Sequence, residues 1–324
     1  MRIAVCGSIA TDHLMTYQGR FADSLVPEEL AKISVSFLVE DLQFRRGGIG
    51  ANISFGMARL GHQPVLVGSV GEDFVTYRSW LERHGVNCEH IHVSEVRHTA
   101  RFVCTTDEDM AQIASFYAGA MSEARDIELG PIMAAVGGLD LVMVSPDDPQ
   151  AMLRHSAECR SRGIPFAADP SQQLAFMDGS SIRQLVDGAT YLFTNEYEAH
   201  MTEKKTGWSA EEILDRVGTR VITRGRDGAT ILSRDGETIE VPIAANVDRV
   251  DPTGVGDAFR AGFLAGLAWG LSLERCAQLG STLASYVLET VGTQEYTFDN
   301  DDFIARLSDG YGAAAGAEVA GHLA

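Results

Sequence analysis

The stretch 251–263, DPTGVGDAFRAGF, contains residue types that could bind an anion and move a proton. Gly254, Val255 and Gly256 precede an apolar run with helical character, and Asp257 opens that run. Successive backbone N–H groups at a helix start, helped by the helix dipole, stabilise a developing negative charge. A carboxylate beside such an anion hole could accept a proton from a hydroxyl group. Asp is also a common helix cap, so this stretch alone leaves both roles open.

The usual fingerprints of other catalytic classes are missing from the sequence. There is no GxxxxGK[ST] loop, and no GxGxxG follows a strand-like run, so the common nucleotide-binding patterns fail. HExxH and paired Cys/His spacings are also missing, which disfavours a zinc enzyme. The glycine-rich helix start therefore remains the main chemical signal. It suits phosphoryl transfer to an alcohol, in which the hydroxyl loses a proton and the phosphoryl charge needs stabilising.

The acidic composition narrows the expected partners and location. The chain has 324 residues and a formal net charge of −19, which repels nucleic acid and anionic lipid. We therefore expect neither nucleic acid nor membrane partners. The N-terminus has no apolar segment of signal-peptide length, and no apolar run approaches the length of a membrane span. The scattered cysteines, expected to be buried and reduced in a cytoplasmic protein, are Cys6, Cys88, Cys104, Cys159 and Cys276.

The order of apolar runs predicts an α/β fold. From about residue 125, strand-like and helix-like stretches alternate, which predicts a mostly parallel central sheet with helices on both faces. The β-rich segments 10–46, including a strand pattern over 32–46, and 97–118 do not follow this rhythm. We expect them to form a small β-sheet lid within a single domain, 1–324. Three helical stretches are predicted after the last strands, followed by a small-residue tail.

Four motifs carry a resemblance to a known family. RRGGIGANISFGMARLG, NEYE, TRGRDG and DPTGVGDAFRAGF occur in the same order as in the ribokinase-like (PfkB) carbohydrate and nucleoside kinases, and the resemblance spans nearly the whole chain. It implies a central parallel sheet flanked by helices, with a small β lid. Within that family, GSIATDHLM, HTARF and AADPSQQLA are similar to adenosine kinases of the actinobacterial type. The implied reaction is transfer of the γ-phosphoryl of ATP to the 5′-hydroxyl of adenosine, a step of purine salvage.

The resemblance also implies roles for individual residues. Asp257 would be the general base, and the amides of Gly254, Val255 and Gly256 would form the anion hole. Phe102 and Phe116 would stack on the purine, and two Gln amides would match its polar edge. The implied nucleoside site comprises Ser8, Asp12, Ser36, Gly48, Asn52, Phe102, Phe116, Gln172 and Gln173.

The nucleotide side is implied in the same way. Glu198 would hold Mg²⁺ through water, although an acidic first helical turn can also simply complement the helix dipole. Asp251 and the segment 292–294 resemble positions where relatives hold a monovalent cation, which implies K⁺. An exposed lid edge favours a homodimer formed through the lid. The residues expected to bind ATP are Asn195, Thr223, Gly225 and Gly228.

Two alternative functions remain at this stage. A sugar or phosphosugar kinase of the same family would leave the aromatic pair without a task. It would also require a Lys/Arg cluster near the substrate strands to grip a second phosphate, and none is evident. A nucleoside-binding protein that has lost catalysis is the other alternative. It is disfavoured because Asp257 and the motif residues around it are all present.

Overall fold

A computed structural model describes residues 1–25, 32, 34–244 and 247–323, and in them it contains a large eight-stranded sheet, a small four-stranded sheet and a two-stranded sheet. The strands, in chain order, are β1 (Ile3–Cys6), β2 (Ala10–Thr16), β3 (Asp41–Gly47), β4 (Val65–Val67), β5 (Ser69–Gly71), β6 (His92–Ser94), β7 (Ala100–Thr106), β8 (Gln112–Tyr117), β9 (Leu141–Val144), β10 (Phe166–Ala168), β11 (Tyr191–Asn195), β12 (Thr219–Thr223), β13 (Ala229–Ser233) and β14 (Thr238–Val241). The helices are α1 (Phe21–Ser24), α2 (Ile49–Arg59), α3 (Val75–Arg83), α4 (Leu129–Val136), α5 (Pro149–Arg162), α6 (Gly179–Val186), α7 (Glu196–Thr206), α8 (Ala210–Arg216), α9 (Val255–Trp269), α10 (Leu273–Leu288), α11 (Asn300–Tyr311) and α12 (Ala313–Leu323).

The large sheet has the strand order β14-β13-β12-β11-β10-β9-β1-β4. Neighbours from β4 to β12 run parallel, and β13 and β14 add an antiparallel edge. Side chains of β1 alternate between two cores: Ile3 and Val5 face α2 and α9–α12, while Ala4 and Cys6 face α4–α6 and α8. The predicted parallel sheet with helices on both faces is therefore confirmed. The sequence predicted it because strands that are covered by helices on both faces carry apolar side chains on both sides.

The small sheet has the strand order β3-β2-β7-β8, and its strands come from the two segments, 10–46 and 97–118, that were predicted to form a separate small sheet. The strand predicted over 32–46 is only partly correct. Residues 34–39 form no regular strand, and β3 begins at Asp41. The reason is that β2 ends at Thr16, which pairs with Asp41, so earlier residues have no partner strand. Lys32 is described as part of a helical turn, and the remainder of the predicted strand before residue 34 lies outside the described residues.

The C-terminal region contains one helix more than predicted. The small-residue tail folds as α12, whose Ala315, Val319 and Leu323 are buried at helical spacing. This stripe packs in the core that also contains α11, and small side chains let two helices approach closely. The helix-like stretch of sequence over 196–217 forms two helices, α7 and α8, because α7 ends at Gly207, which has φ of 71°.

Two composition-based expectations can be compared with the structure. All five cysteines are buried free thiols, as predicted. Within the described part of the chain, no helix is both long enough and apolar enough to cross a bilayer.

Candidate active site

Several residues of the candidate site lie where parallel strands end. Ser8 follows β1, Asp169 follows β10, and Asn195 and Thr223 are the last residues of β11 and β12. Because these strands are parallel, their carboxyl ends lie along one edge of the sheet, where α/β folds bind ligands. The N-terminus of α9 is tied to the same edge by Arg260, which forms an ion pair with Asp169. The sheet therefore brings motifs from distant parts of the sequence to one place.

The start of α9 has the geometry of an anion hole. Gly254 is the N-cap with φ of 78°, and a Cβ there would lie 2.8 Å from Cγ2 of Thr293. The backbone N–H groups of Gly256 and Asp257 have no hydrogen-bond partner among the described residues. Val255 N–H makes only a long bond, 3.4 Å, to the carbonyl of Pro252. These amides are thus available to a ligand, and a residue with a side chain at 254 would disturb their arrangement.

Asp257 is a half-buried carboxylate in the first turn of α9. Its Oδ2 accepts a hydrogen bond of 2.8 Å from Nδ2 of Asn52 on α2. Burial raises the pKa of Asp257 to about 6, although the Asn52 hydrogen bond and the charge of Arg260 oppose the rise. The side chain is therefore ionised at neutral pH while being more basic than an ordinary Asp. This combination suits a general base.

The structure contains a buried ion pair near Asp257 that was not predicted from the sequence. Nε and Nη2 of Arg260 each lie 2.6 Å from an oxygen of Asp169, and both residues are buried. Nη1 of Arg260 also donates to the carbonyl of Gly256, 3.1 Å away, so the pair braces the first turn of α9. Glu198 lies 4.0 Å from the same guanidinium. The sequence does contain one signal of this pair. An arginine stands inside the otherwise apolar run AFRAGF, and a charged side chain in a buried run needs a partner of opposite charge.

The predicted ribose and purine residues share one face of the small sheet. Asp12 pairs directly with Phe102 across β2 and β7, and Phe102 pairs with Phe116 across β7 and β8. Directly paired residues point to the same face, so the carboxylate and both aromatic rings lie side by side. Burial and the nearby charge of Glu295 raise the pKa of Asp12 to about 6. Phe116 is 55% exposed, which leaves its ring accessible to a flat ligand.

Two further predicted substrate residues shape the backbone at the start of α2. Oγ of Ser8 accepts a hydrogen bond of 3.0 Å from the N–H of Ile49, so the hydroxyl is engaged in anchoring this helix. Gly48 has φ of 93°, and a Cβ there would lie 2.6 Å from both the Ser8 carbonyl and the Ala10 nitrogen. Only glycine fits this position, because backbone atoms cannot move aside.

The other predicted substrate residues are not joined to this face by hydrogen bonds. Nε2 of Gln173 donates to the carbonyl of Asp147 at 2.8 Å, and Gln172 accepts from Ser171 at 2.9 Å. Within the described part of the chain, neither amide bonds to the small sheet. Ser36 is exposed in the irregular segment 34–39, so its predicted position on a lid strand is wrong.

The nucleotide motifs line a separate cavity of about 760 Å³. Val255 and Gly256 border this cavity, which places the start of α9 at its rim. Its walls combine apolar side chains with a few polar groups, including Arg226 and Arg249, as is usual for small-molecule sites. Gly228 must be glycine, since it has φ of 87° and a Cβ would lie 2.0 Å from the Val241 carbonyl. The predicted nucleotide residues at the cavity wall are Thr223, Gly225 and Gly228.

Asn195 and Glu198 form a reciprocal capping box at the start of α7. Asn195 Oδ1 accepts from the Glu198 N–H at 2.8 Å, and Glu198 Oε2 accepts from the Asn195 N–H at 2.7 Å. Besides complementing the helix dipole, Glu198 thus also caps the start of α7 together with Asn195. The other oxygen, Oε1, has only a 3.4 Å contact with Ser171 Oγ, so it keeps free lone pairs.

The fold and the site define the class of protein. The central sheet, its helical layers and the small sheet form the ribokinase-like α/β fold. Residues 7–299 match the model of the pfkB family of carbohydrate kinases, and the chain belongs to this family. The resemblance inferred from the four motifs is therefore confirmed.

Several relatives of known structure or function are similar over nearly the whole chain. The nucleoside kinase of Methanothermobacter thermautotrophicus is 30% identical over 88% of this chain and 92% of its own length. The Methanocaldococcus jannaschii nucleoside kinase is 28% identical over 86% of this chain and 91% of its own. The structure of Burkholderia thailandensis nucleoside kinase in complex with inosine has a TM-score of 0.81 and 35% identity, covering 96% of this chain and 98% of that chain.

Proposed function

We propose that the chain transfers the γ-phosphoryl of ATP to the 5′-hydroxyl of a purine nucleoside, with adenosine as the preferred acceptor. The observation that carries this proposal is the location of Asp257. Its helix start borders the 760 Å³ cavity through Val255 and Gly256, while its side chain bonds to Asn52, which does not line that cavity. A donor phosphate in the cavity and an acceptor hydroxyl near Asn52 would therefore meet at the carboxylate and the free amides.

Each group at this junction has a chemical task. Asp257 accepts the proton as the 5′-oxygen attacks phosphorus, because its pKa of about 6 leaves it ionised at neutral pH. The free amides of Gly256 and Asp257 would donate to the negative charge that moves during transfer. Fixed donors at such a place are commonly the largest source of rate acceleration, with a single donor contributing roughly 3–4 kcal/mol. The Arg260–Asp169 pair keeps the amides aligned through the Gly256 carbonyl.

A nucleoside fits the acceptor side better than a free sugar does. Asp12 offers two oxygens to ribose hydroxyls, and Phe102 and Phe116 lie next to it on the same face, where a base could stack. The Burkholderia thailandensis relative was solved with inosine, which supports a purine nucleoside. Adenosine and inosine differ in their donors and acceptors at ring positions 1 and 6. An amide such as that of Gln172 could match either, so turnover must decide between them.

Metal ions complete the proposal for the donor side. When bound, Mg²⁺ neutralises the phosphate charge. Among the described residues, no group of three His, Cys, Asp or Glu side chains is arranged to hold a metal. The free Oε1 of Glu198 nevertheless fits a hydrated Mg²⁺, which keeps most of its waters in nucleotide sites. For K⁺, Asp251 Oδ2 accepts from the Gly292 N–H at 3.1 Å, which joins the two segments proposed to hold it.

The small sheet is proposed to act both as a lid and as a dimer surface. The face opposite Asp12 carries half-exposed apolar side chains, namely Leu42, Phe44, Ile113 and Tyr117. Covering this face with a second copy would remove apolar area from water, which favours a homodimer. Sedimentation analysis of wild type and Phe44→Glu tests this idea, with a dimer expected only for wild type. The five buried thiols are compatible with the proposed cytoplasmic location.

The substrate assignment is tested by steady-state turnover on adenosine, inosine, guanosine, cytidine and ribose with ATP and Mg²⁺. We expect the purine nucleosides to have the highest kcat/KM, with adenosine first. A preference for inosine would correct the acceptor within the same mechanism. A preference for ribose or another free sugar would refute the proposed purine site.

The catalytic assignment is tested separately with Asp257→Asn. We expect adenosine binding within a few-fold of wild type and turnover lower by at least about 10², the usual contribution of a positioned base. Unchanged turnover would exclude Asp257 as the base. Binding without turnover in the wild-type protein itself would instead support a nucleoside-binding protein.

A further inference from the structure

Asn52 is held by a chain of hydrogen bonds that begins at an indole nitrogen. Nε1 of Trp80 donates to Oε1 of Gln294 at 3.2 Å. Nε2 of Gln294 then donates to Oδ1 of Asn52 at 2.9 Å, and Nδ2 of Asn52 donates to Oδ2 of Asp257 at 2.8 Å. Gln294 is only 1% exposed, so its amide has no access to bulk water as an alternative partner.

The chemistry of the first donor fixes the direction of every later bond. An indole N–H can only donate, so the oxygen of Gln294 must face Trp80 and its NH₂ group must face Asn52. The oxygen of Asn52 must in turn face Gln294, which leaves its NH₂ group directed at Asp257. An amide in water could turn over freely between its two orientations. Here, only one orientation satisfies all the buried groups.

A second branch holds Gln294 from another side. Nε2 of Gln294 also donates to the hydroxyl of Tyr77 at 2.6 Å, and Tyr77 donates to the carbonyl of Gly47 at 2.9 Å. Both N–H groups of Gln294 are thus engaged, one with Asn52 and one with Tyr77. Thr293 lies 3.0 Å from both Asn52 Oδ1 and the Arg46 carbonyl, but its hydroxyl has one hydrogen to donate. The single hydroxyl hydrogen of Thr293 is thus shared between two acceptors, whereas Gln294 has a separate N–H group for Asn52.

We propose that Gln294 is a positioning residue for the phosphoryl-transfer reaction: it orients the Asn52 amide so that an N–H group always faces Asp257. This inference rests on the proposed function, in which Asp257 is the base. Removing Gln294 would let Asn52 turn over and present its oxygen to the carboxylate. Two acceptors facing each other disfavour the ionised form, so the base would hold its proton to higher pH. The second N–H of Asn52 makes no bond within the described residues, which leaves it for a substrate hydroxyl.

The test is the pH dependence of Gln294→Met, which keeps a side chain of similar length and removes the amide. The acid limb of kcat/KM reports the pKa values of the essential groups in the free enzyme, which here include Asp12 as well as Asp257, so the readout is the shift of the limb between wild type and variant. We expect this limb to move up by about one pH unit, so that the ratio of kcat/KM at pH 5 to kcat/KM at pH 8 is about eightfold lower than in wild type. Trp80→Phe removes the indole N–H together with part of the ring, and it should shift the limb in the same direction by less.

Gln278→Met is the matched control, because Gln278 is also a buried glutamine but bonds to Arg275 and Glu274 on α10. It should leave the acid limb at its wild-type position. An acid limb within about 0.2 pH unit of wild type in folded Gln294→Met would overturn the proposal. If Gln294→Met fails to fold, the same criterion applies to Trp80→Phe.

A direct measurement separates this inference from the proposed function. Carbon-13 NMR of protein labelled at the aspartate carboxyl groups, with the Asp257 signal assigned by Asp257→Asn, gives the pKa of Asp257 without any turnover. A raised pKa in Gln294→Met supports the positioning role even if Asp257→Asn retains activity and the catalytic proposal fails. An unchanged pKa refutes the positioning role even if Asp257→Asn is inactive.

Discussion

The ion pair between Arg260 and Asp169 offers a sharp test of how the site is held together. Its two charges are buried 2.6 Å apart, with the side chains 6% and 1% exposed. Removing one partner of such a pair leaves an uncompensated buried charge, which costs roughly 3–5 kcal/mol of stability. Replacing both partners by apolar side chains of similar size removes that penalty and is frequently neutral. The double variant should therefore be more stable than either single variant.

The expected values follow from the surroundings of each charge. Arg260→Met should lose the larger amount, about 4–5 kcal/mol, because the acidic groups Asp169, Glu198 and Asp257 would remain without a cation. Asp169→Leu should lose about 3 kcal/mol, because Glu198 lies 4.0 Å from the guanidinium and can accept it. The double variant should lie within about 1–2 kcal/mol of wild type, giving a coupling energy of roughly 5 kcal/mol or more.

Urea unfolding of the four proteins at pH 7, followed by fluorescence and circular dichroism, measures these differences. If the double variant lost the sum of the two single losses, the pair would contribute no coupling and the reasoning would be refuted. Activity supplies a second check. The charge of Arg260 lowers the pKa of Asp257 and that of Asp169 raises it. The acid limb of kcat/KM should thus move up in Arg260→Met and down in Asp169→Leu.

Three further predictions concern single groups of the site. Wild-type kcat/KM should fall below about pH 6, approaching tenfold per pH unit, because protonation of Asp257 removes the base; a flat profile between pH 5 and 8 would contradict this. Gly48→Ala should lower the free energy of unfolding by at least roughly 1–3 kcal/mol because of its positive φ, and the clash of the new Cβ with the backbone should add to this loss. Urea unfolding measures the loss, and Gly61→Ala is the control because its Cβ would meet open space at a similar φ. Phe102→Ala should raise KM for adenosine about tenfold while leaving KM for ATP within about twofold, since the ring lies on the small sheet; equal effects on both would argue against stacking.

Local patterns were sufficient to predict most of the architecture. Apolar runs such as Leu141–Val144 and Tyr191–Asn195 formed the expected parallel strands, because strands buried on both faces must be apolar throughout. The glycine-rich start of α9 was also predictable, since positive φ at Gly254 requires glycine. The C-terminal α12 was not predicted, because its small residues gave no apolar contrast. Only packing against neighbouring helices shows that Ala315 and Val319 are core residues.

By itself, the sequence determined most of the order of strands and helices, the family motifs and the identity of the candidate base. The tertiary structure alone decided which distant groups surround that base. Asn52 reaches Asp257 from a separation of 205 residues, and Gln294 reaches Asn52 from 242. Local propensity depends on near neighbours and holds no information about such partners. The pKa of Asp257 depends on burial and on these long-range contacts, so only the tertiary structure could reveal its shift.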